Sequence, residues 1–353
     1  MNPTLTGPAP RPITRPNTDT PIDAGWRQWI AENRLRQCTP ESMLDTMAAA
    51  GIDRQAGRRA IVAMEGDPAY LAALKHQQLQ RKLESVLGNL QRLWESDPGY
   101  SRIDKRAGVS ADEFIEPYVR GCRPVVLTDV ARDWPAMRRW SPHDLRARFG
   151  HLDVEIQGER NADSRYEENK LKHRRVQRLG DFVDRVIGGG PSNDYYMTAN
   201  NEVLRRPEFA PLLADIGTLP AFCDRAQLAR ASSFWFGPAG TVTPLHHDTL
   251  MLLHTQIVGR KRWRFVSPLE TAKLYNHSGV FSPIDIDRPD LVRHPTFAQV
   301  KVIDVVVEPG ETVFLPLGWW HQVTSLDVSL SFSFSNLGVP NEFDYQNPSI
   351  HNW

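Results

Sequence analysis

The apolar positions divide the chain into three stretches with different periodicities. Residues 1–22 are rich in proline and threonine and poor in apolar residues, so they read as a disordered leader unable to build a core. Residues 23–97 have a helical period. Trp26, Trp29 and Ile30 begin an apolar stripe, Met43, Leu44 and Met47 continue it, and Ala60, Ile61 and Met64 resume it after a break at Gly51. Thr39-Pro40-Glu41 forms a cap and first turn. Leu79, Leu83, Val86, Leu90 and Leu93 follow at alternating spacings of four and three. That is about two heptads, short for a coiled coil. It suits a helix docked on the rest of the chain or on a second copy, which would give a homodimer through the N-terminal helices.

Asp97-Pro98-Gly99 is a stop, and the pattern changes beyond it. Pro124 to Leu127 reads as a buried strand, and Leu145–Phe149 and Leu179–Ile187 as amphipathic helices. From Tyr195 onward, short strands alternate with Gly/Pro turns: Ser232–Phe236, Leu245–Val258, Arg262–Val266, Val300–Val307, Thr312–Leu315, His321–Ser325 and Val328–Ser335. Regular short strands predict a sandwich or barrel over residues 98–353, mainly β with flanking helices.

Composition narrows this only slightly. Hydrophobic residues are 41% and charged residues 24%, ordinary values for a folded chain. Lys+Arg and Asp+Glu both count 42, and that balance argues against a whole-protein grip on nucleic acid or an anionic membrane. The basic run Lys170–Arg178 reads as a solvated face. Cys38, Cys122 and Cys223 lack CxxC spacing, which disfavours a disulfide framework or cysteine-zinc module. No apolar h-region opens the chain and no run of about 18 apolar residues occurs, so the expectation is a cytoplasmic protein without a membrane segment.

The chemistry concentrates in Thr243-Pro244-Leu245-His246-His247-Asp248. Residues i and i+2 of a strand share a face, so His246 and Asp248 can point together while His247 points away. An imidazole beside a carboxylate supplies two members of the facial triad that leaves open positions on Fe(II). Alone, HxD reads equally as a hydrogen-bonded pair. A second histidine, His321, opens a later strand after Pro316-Leu317-Gly318-Trp319-Trp320, and this favours a metal site. His247 and His254 are neighbours rather than ligands, and His254, Trp319 and Trp320 are candidates for the substrate-pocket wall.

Gly259 to Phe265 alternates, with Arg260, Arg262 and Arg264 on one face and Lys261, Trp263 and Phe265 on the other. A lysine on an apolar face is costly unless an anion meets it or its stem snorkels to water. Beside an iron triad, that anion reads as the distal carboxylate of a 2-oxo acid, with Thr243 and Tyr196 adding hydroxyl donors. Ser329, Ser331, Ser333 and Ser335 alternate with Val328, Leu330, Phe332 and Phe334. Either the serines line a polar barrel interior, or they face water over an aromatic core.

Together, Thr243 to Asp248, Gln256 to Lys261 and Pro316 to His321 resemble the motifs of the JmjC, cupin-like 2-oxoglutarate-dependent hydroxylases. The pattern is similar to the hypoxia-inducible-factor asparaginyl hydroxylase and its bacterial cupin-like relatives. The resemblance spans roughly Ser110–Asn336 and implies a double-stranded β-helix (jelly-roll) barrel. It also implies Fe(II) on His246, Asp248 and His321, and 2-oxoglutarate held at its C5 carboxylate by Lys261, Thr243 and Tyr196. Such enzymes use O2 and hydroxylate a protein or peptide side chain. A small-metabolite hydroxylase, a lysyl demethylase, a cupin isomerase and a non-catalytic metal- and ligand-binding sensor are the alternatives. The chain departs from the family at Met251 and Leu252, where an asparagine near the C1 carboxylate is usual, and Ser333 aligns with a last-strand asparagine.

Overall fold

The computed structural model describes residues 22–277 and 279–341, so the leader expected over 1–22 lies, apart from Ile22, outside the described residues. The chain separates into two compact units, one ending at Asn89 and the other beginning at Leu90.

The first unit contains helices α1 (Ala24–Leu35), α2 (Pro40–Ala49) and α3 (Arg54–Glu65) and most of α4 (Pro68–Glu95). Three of these begin on a side chain that accepts a hydrogen bond from a first-turn N–H: Asp23 from Trp26, Thr39 from Ser42 and Asp53 from Ala56. Gly51, at φ 87°, takes the left-handed conformation that turns the chain out of α2. The predicted stripe, Trp26, Trp29, Ile30, Met43, Leu44, Met47 and Ile61, is the buried core of this unit. Leu79, Leu83, Val86, Leu90 and Leu93 are exposed by 42–66% along α4.

The second unit holds thirteen strands among the described residues. In chain order they are β1 (Asp104–Arg106), β2 (Val125–Leu127), β3 (Asp153–Gly158), β4 (Arg174–Arg178) and β5 (Tyr195–Tyr196). The barrel strands follow: β6 (Ser232–Gly237), β7 (Val242–His246), β8 (Leu252–Val258), β9 (Lys261–Val266), β10 (Ile303–Val307), β11 (Thr312–Leu315), β12 (Trp320–Ser325) and β13 (Ser329–Phe334). One sheet has the order β1-β2-β11-β8-β13-β6 and a second β10-β9-β12-β7; a third, β4-β3-β5, lies outside them. From β6 to β13 the strands alternate between the first two sheets, except that β9 and β10 pair as neighbours in the smaller one, giving the expected jelly-roll.

One expected strand is two. Leu245–Val258 breaks between His246 and Leu252, because β7 belongs to the smaller sheet and β8 to the larger. The crossing segment satisfies its backbone elsewhere: Met251 N donates to Asn341 Oδ1 at 2.7 Å, and Asn341 Nδ2 donates back to Met251 O. Val300–Val307 likewise begins as strand only at Ile303.

β13 decides which way the serines face. Leu330, Phe332 and Phe334 turn outward under a layer that includes Pro142–Phe149 and Leu179–Gly188, Phe332 packing edge-on against Trp134 and Trp140. Ser329, Ser331 and Ser333 turn inward and are buried, Ser331 bonding to Gln256 Oε1 at 2.9 Å. The basic run Lys170–Arg178 becomes a short helical turn and the edge strand β4. Its arginines pair with acids carried on and just after β3: Arg174 with Glu155, Arg175 with Glu159 and Arg178 with Asp153. These exposed pairs cancel the local charge and stabilise little.

Candidate metal centre and co-substrate cavity

The end of β7 meets the start of β12 across the smaller sheet, with His246 paired in register with His321. Asp248 lies two residues past the end of β7, so it reaches the same place through the turn rather than through strand alternation. His246, Asp248 and His321 each offer a ligand atom, all within 4.8 Å of one another. His321 Nε2 lies 3.8 Å from Asp248 Oδ2, and the two imidazole centroids are 4.1 Å apart.

Backbone carbonyls orient both rings. His246 Nδ1 lies 2.8 Å from Pro244 O and His321 Nδ1 lies 3.1 Å from Trp319 O. A proton on each Nδ1 donates to its carbonyl, leaving each Nε2 lone pair free for a metal ion. Trp263 stacks on His321 at 5.6 Å and Phe281 on His246 at 5.4 Å, restricting ring rotation. Burial, then the neighbouring His246, holds the His321 pKa well below its ordinary value, so the ring is the neutral species that metals bind. Two imidazoles and a carboxylate converging from one side fit a divalent first-row metal such as Fe(II).

The triad opens into a cavity of about 280 Å³ lined by both sheets. At one end of it Lys261 is 1% exposed. Its ammonium donates to Tyr196 Oη at 3.0 Å and lies 3.5 Å from His254 Nε2, with the Trp235 ring 5.6 Å away. No described carboxylate forms an ion pair with it. Burial alone draws its pKa down to about 7, and burial pushes the Tyr196 hydroxyl upward, keeping the phenol a neutral donor. Burial and the adjacent Lys261 hold His254 neutral as well. Thr243 lines the same cavity. A buried cation ringed by neutral hydroxyl and imidazole groups has the chemistry to hold a ligand carboxylate such as the distal one of 2-oxoglutarate.

The remaining predicted residues divide. Ser333 faces the cavity, its hydroxyl accepting from Trp235 Nε1 at 2.9 Å, and His254 lines it too. Trp319 and Trp320 do not, which corrects their assignment to the substrate-pocket wall. Trp319 precedes β12 and buries its indole against Phe265, donating to Cys122 O at 2.7 Å. Trp320 faces opposite to His321 by the strand pleat and donates to Thr271 Oγ1 at 2.9 Å. The aromatic wall is Trp235 and Trp263 instead. Trp263 shares the face of Lys261 and was legible from the alternation. Trp235 carried no such signal, because β6 mixes serines and aromatics on both faces. Met251 packs away from the cavity while Leu252 lines it, so neither position supplies an amide. Glu202, Arg205 and Arg230 also line the cavity, and Arg205 pairs with Glu202 at 2.8 Å.

Residues 110–336 match the family model of the cupin-like domain. Over 233 residues the chain is 31% identical to the lysine-specific demethylase 8 of Xenopus tropicalis, covering 64% of this chain and 50% of that protein. It is 32% identical over 244 residues to the lysine-specific demethylase JMJ30 of Arabidopsis thaliana, with coverages of 66% and 54%. To the HSPB1-associated protein 1 of Homo sapiens it is 29% identical over 227 residues, covering 58% and 46%. The chain thus spans about half the length of the curated relatives it matches. No described helix is long and apolar enough to cross a membrane.

Proposed function

We propose that this chain, which belongs to the cupin-like (JmjC) domain family, is an Fe(II)- and 2-oxoglutarate-dependent dioxygenase that hydroxylates a protein or peptide side chain. The observation that carries the reading is Lys261, a buried ammonium bonded to a neutral hydroxyl and facing the same cavity as a His/Asp/His group. A cupin isomerase that takes no 2-oxo acid gives no reason to bury that charge, whereas a dicarboxylic ligand does, and succinate release separates an enzyme from a sensor that only binds that ligand. The names of two relatives refer to demethylation of lysine, which supports an amino-acid side chain as the target.

His246, Asp248 and His321 would hold the iron. When bound, iron supplies the redox chemistry: 2-oxoglutarate is oxidised to succinate and CO2, and one atom of O2 enters a C–H bond of the substrate. The rest falls to the chain's own groups. Lys261, Tyr196 and Thr243 grip the distal carboxylate, which turns the keto-acid end toward the triad and fixes its orientation. Ser333, steadied by Trp235, offers a hydroxyl to the keto acid in place of the usual asparagine. Trp235, Trp263, Leu252, Leu315 and Val323 give the cavity apolar walls that exclude water from the reacting groups.

The test is incubation with Fe(II), ascorbate and 2-oxoglutarate in a cell lysate, followed by mass spectrometry of the polypeptides. Gain of one oxygen atom, dependent on 2-oxoglutarate and lost in His246→Ala, supports the reading. Loss of methyl groups with formaldehyde release converts it to demethylation. Oxidation confined to small molecules moves the substrate to a metabolite, and metal binding without succinate release under any condition refutes the enzyme.

A further inference from the structure

We infer that Arg160 is a positioning residue for the distal-carboxylate end of the cavity, holding Tyr196 and Thr243 in place and setting a second buried positive charge behind the Tyr196 ring. The inference rests on the 2-oxoglutarate reading above.

Arg160 follows the left-handed residue Glu159 (φ 58°) at the end of β3, and its side chain is fully buried. Its guanidinium lies 4.1 Å from the centre of the Tyr166 ring and 5.4 Å from that of Tyr196, the phenol that accepts from Lys261. Nη2 donates to Val242 O at 2.7 Å, and Tyr166 Oη donates to the same carbonyl at 2.8 Å. Val242 N donates to Asn193 Oδ1, so the peptide groups flanking Val242 are pinned immediately before Thr243. One cation therefore touches the supports of both hydroxyl donors.

Its counter-ion is arranged to match. Glu167 Oε1 accepts from Arg160 at 3.1 Å, while Glu167 Oε2 accepts from Gln157 Nε2 at 3.0 Å. Gln157 is the β3 residue paired in register with Tyr196. Even so, Arg160 Nε and Nη1 have no hydrogen-bond partner among the described residues. A guanidinium left half-satisfied in the interior is expensive if its work is only to hold a loop. The arrangement makes sense where a dianionic ligand shares the field: with Lys261 protonated, it and Arg160 against Glu167 leave one net positive charge, and a bound carboxylate cancels it.

Calorimetric titration with Mn(II) replacing iron and without O2 tests this independently of turnover. The two probes are 2-oxoglutarate and 2-oxopentanoate, which has the same carbon chain without the distal carboxylate. For Arg160→Met we expect 2-oxoglutarate to bind at least about tenfold more weakly, with 2-oxopentanoate and Mn(II) changed by less than about twofold. Arg160→Lys restores part of the difference. Glu167→Gln, which leaves the Arg160 charge unopposed, binds 2-oxoglutarate as tightly as wild type or more so. Parallel weakening of both acids and of Mn(II) in Arg160→Met, or weaker 2-oxoglutarate binding in Glu167→Gln, would mean that Arg160 is only structural glue; the second result decides the matter if Arg160→Met fails to fold. A wild-type protein that binds both acids equally sinks the 2-oxoglutarate reading itself. A wild-type preference that survives in Arg160→Met sinks only the role of Arg160.

Discussion

Replacing Lys261 by methionine should stabilise the ligand-free protein while abolishing its response to 2-oxoglutarate. Burial lowers the lysine pKa from its ordinary 10.5 to about 7. At about 1.4 kcal/mol per pH unit, the folded state disfavours the ammonium by about 5 kcal/mol, most of it felt at neutral pH. The unfolded chain binds more protons than the folded one between about pH 7 and 10.5. Stability of the ligand-free protein therefore rises with pH across that window, by up to about 1.4 kcal/mol per unit, and levels off above it. Lys261→Met removes both the penalty and this slope. It also leaves Tyr196 Oη without its partner, at a cost of about 1–2 kcal/mol, so a net gain of about 2–3 kcal/mol remains at neutral pH. In thermal unfolding that is a rise of several degrees, on the order of 2–4 °C per kcal/mol. Adding 2-oxoglutarate with Mn(II) should raise the wild-type midpoint and leave the variant unmoved. Because the bound carboxylate recharges the ammonium, wild-type binding at pH 8 should also take up nearly one proton, seen as a buffer-dependent heat. A variant that is less stable without ligand, with its pH slope intact, would show that Lys261 is not an uncompensated buried charge and would remove the main support for a dicarboxylic co-substrate.

Other changes separate the site from its scaffold. His246→Ala or Asp248→Ala should weaken Mn(II) binding in equilibrium dialysis by more than about a hundredfold, because two ligands cannot replace the facial set. Trp319→Phe should lower stability by about 1–2 kcal/mol through loss of its bond to Cys122 O, with 2-oxoglutarate affinity unchanged in calorimetry. Trp235→Phe should have the opposite profile, with little change in stability and a several-fold loss of affinity as the Ser333 hydroxyl loses its orientation. Thr39→Ala should cost the N-terminal unit about 1 kcal/mol, read by circular dichroism during denaturation, without altering succinate release.

Much of this protein was legible along the chain because its signals are local. Helical spacing from Trp26 to Met64, the cap at Thr39, and the period-two alternation of Lys261, Trp263 and Phe265 depend only on neighbours in sequence. The His246-x-Asp248 spacing and the Gly/Pro turn before His321 are local signals too. The single strand drawn from Leu245 to Val258 failed because apolar residues continue through the crossing. Nothing local says that the chain leaves one sheet for another there. Trp319 and Trp320 misled for a related reason: an aromatic beside a ligand reads as pocket wall, but the strand pleat and the Cys122 and Thr271 partners turn both away.

Residue order by itself determined the kinds of element, the three candidate metal ligands and the presence of a cation on an apolar face, since each follows from short spacings along the chain. Tertiary structure decided what surrounds them. It closed two sheets so that His321 meets His246, turned the β13 serines inward, and placed Trp235 beside Lys261 and Arg160 behind Tyr196, both from segments with no motif. The physical reason is that burial and electrostatic field are properties of a closed volume, and only packing encloses one.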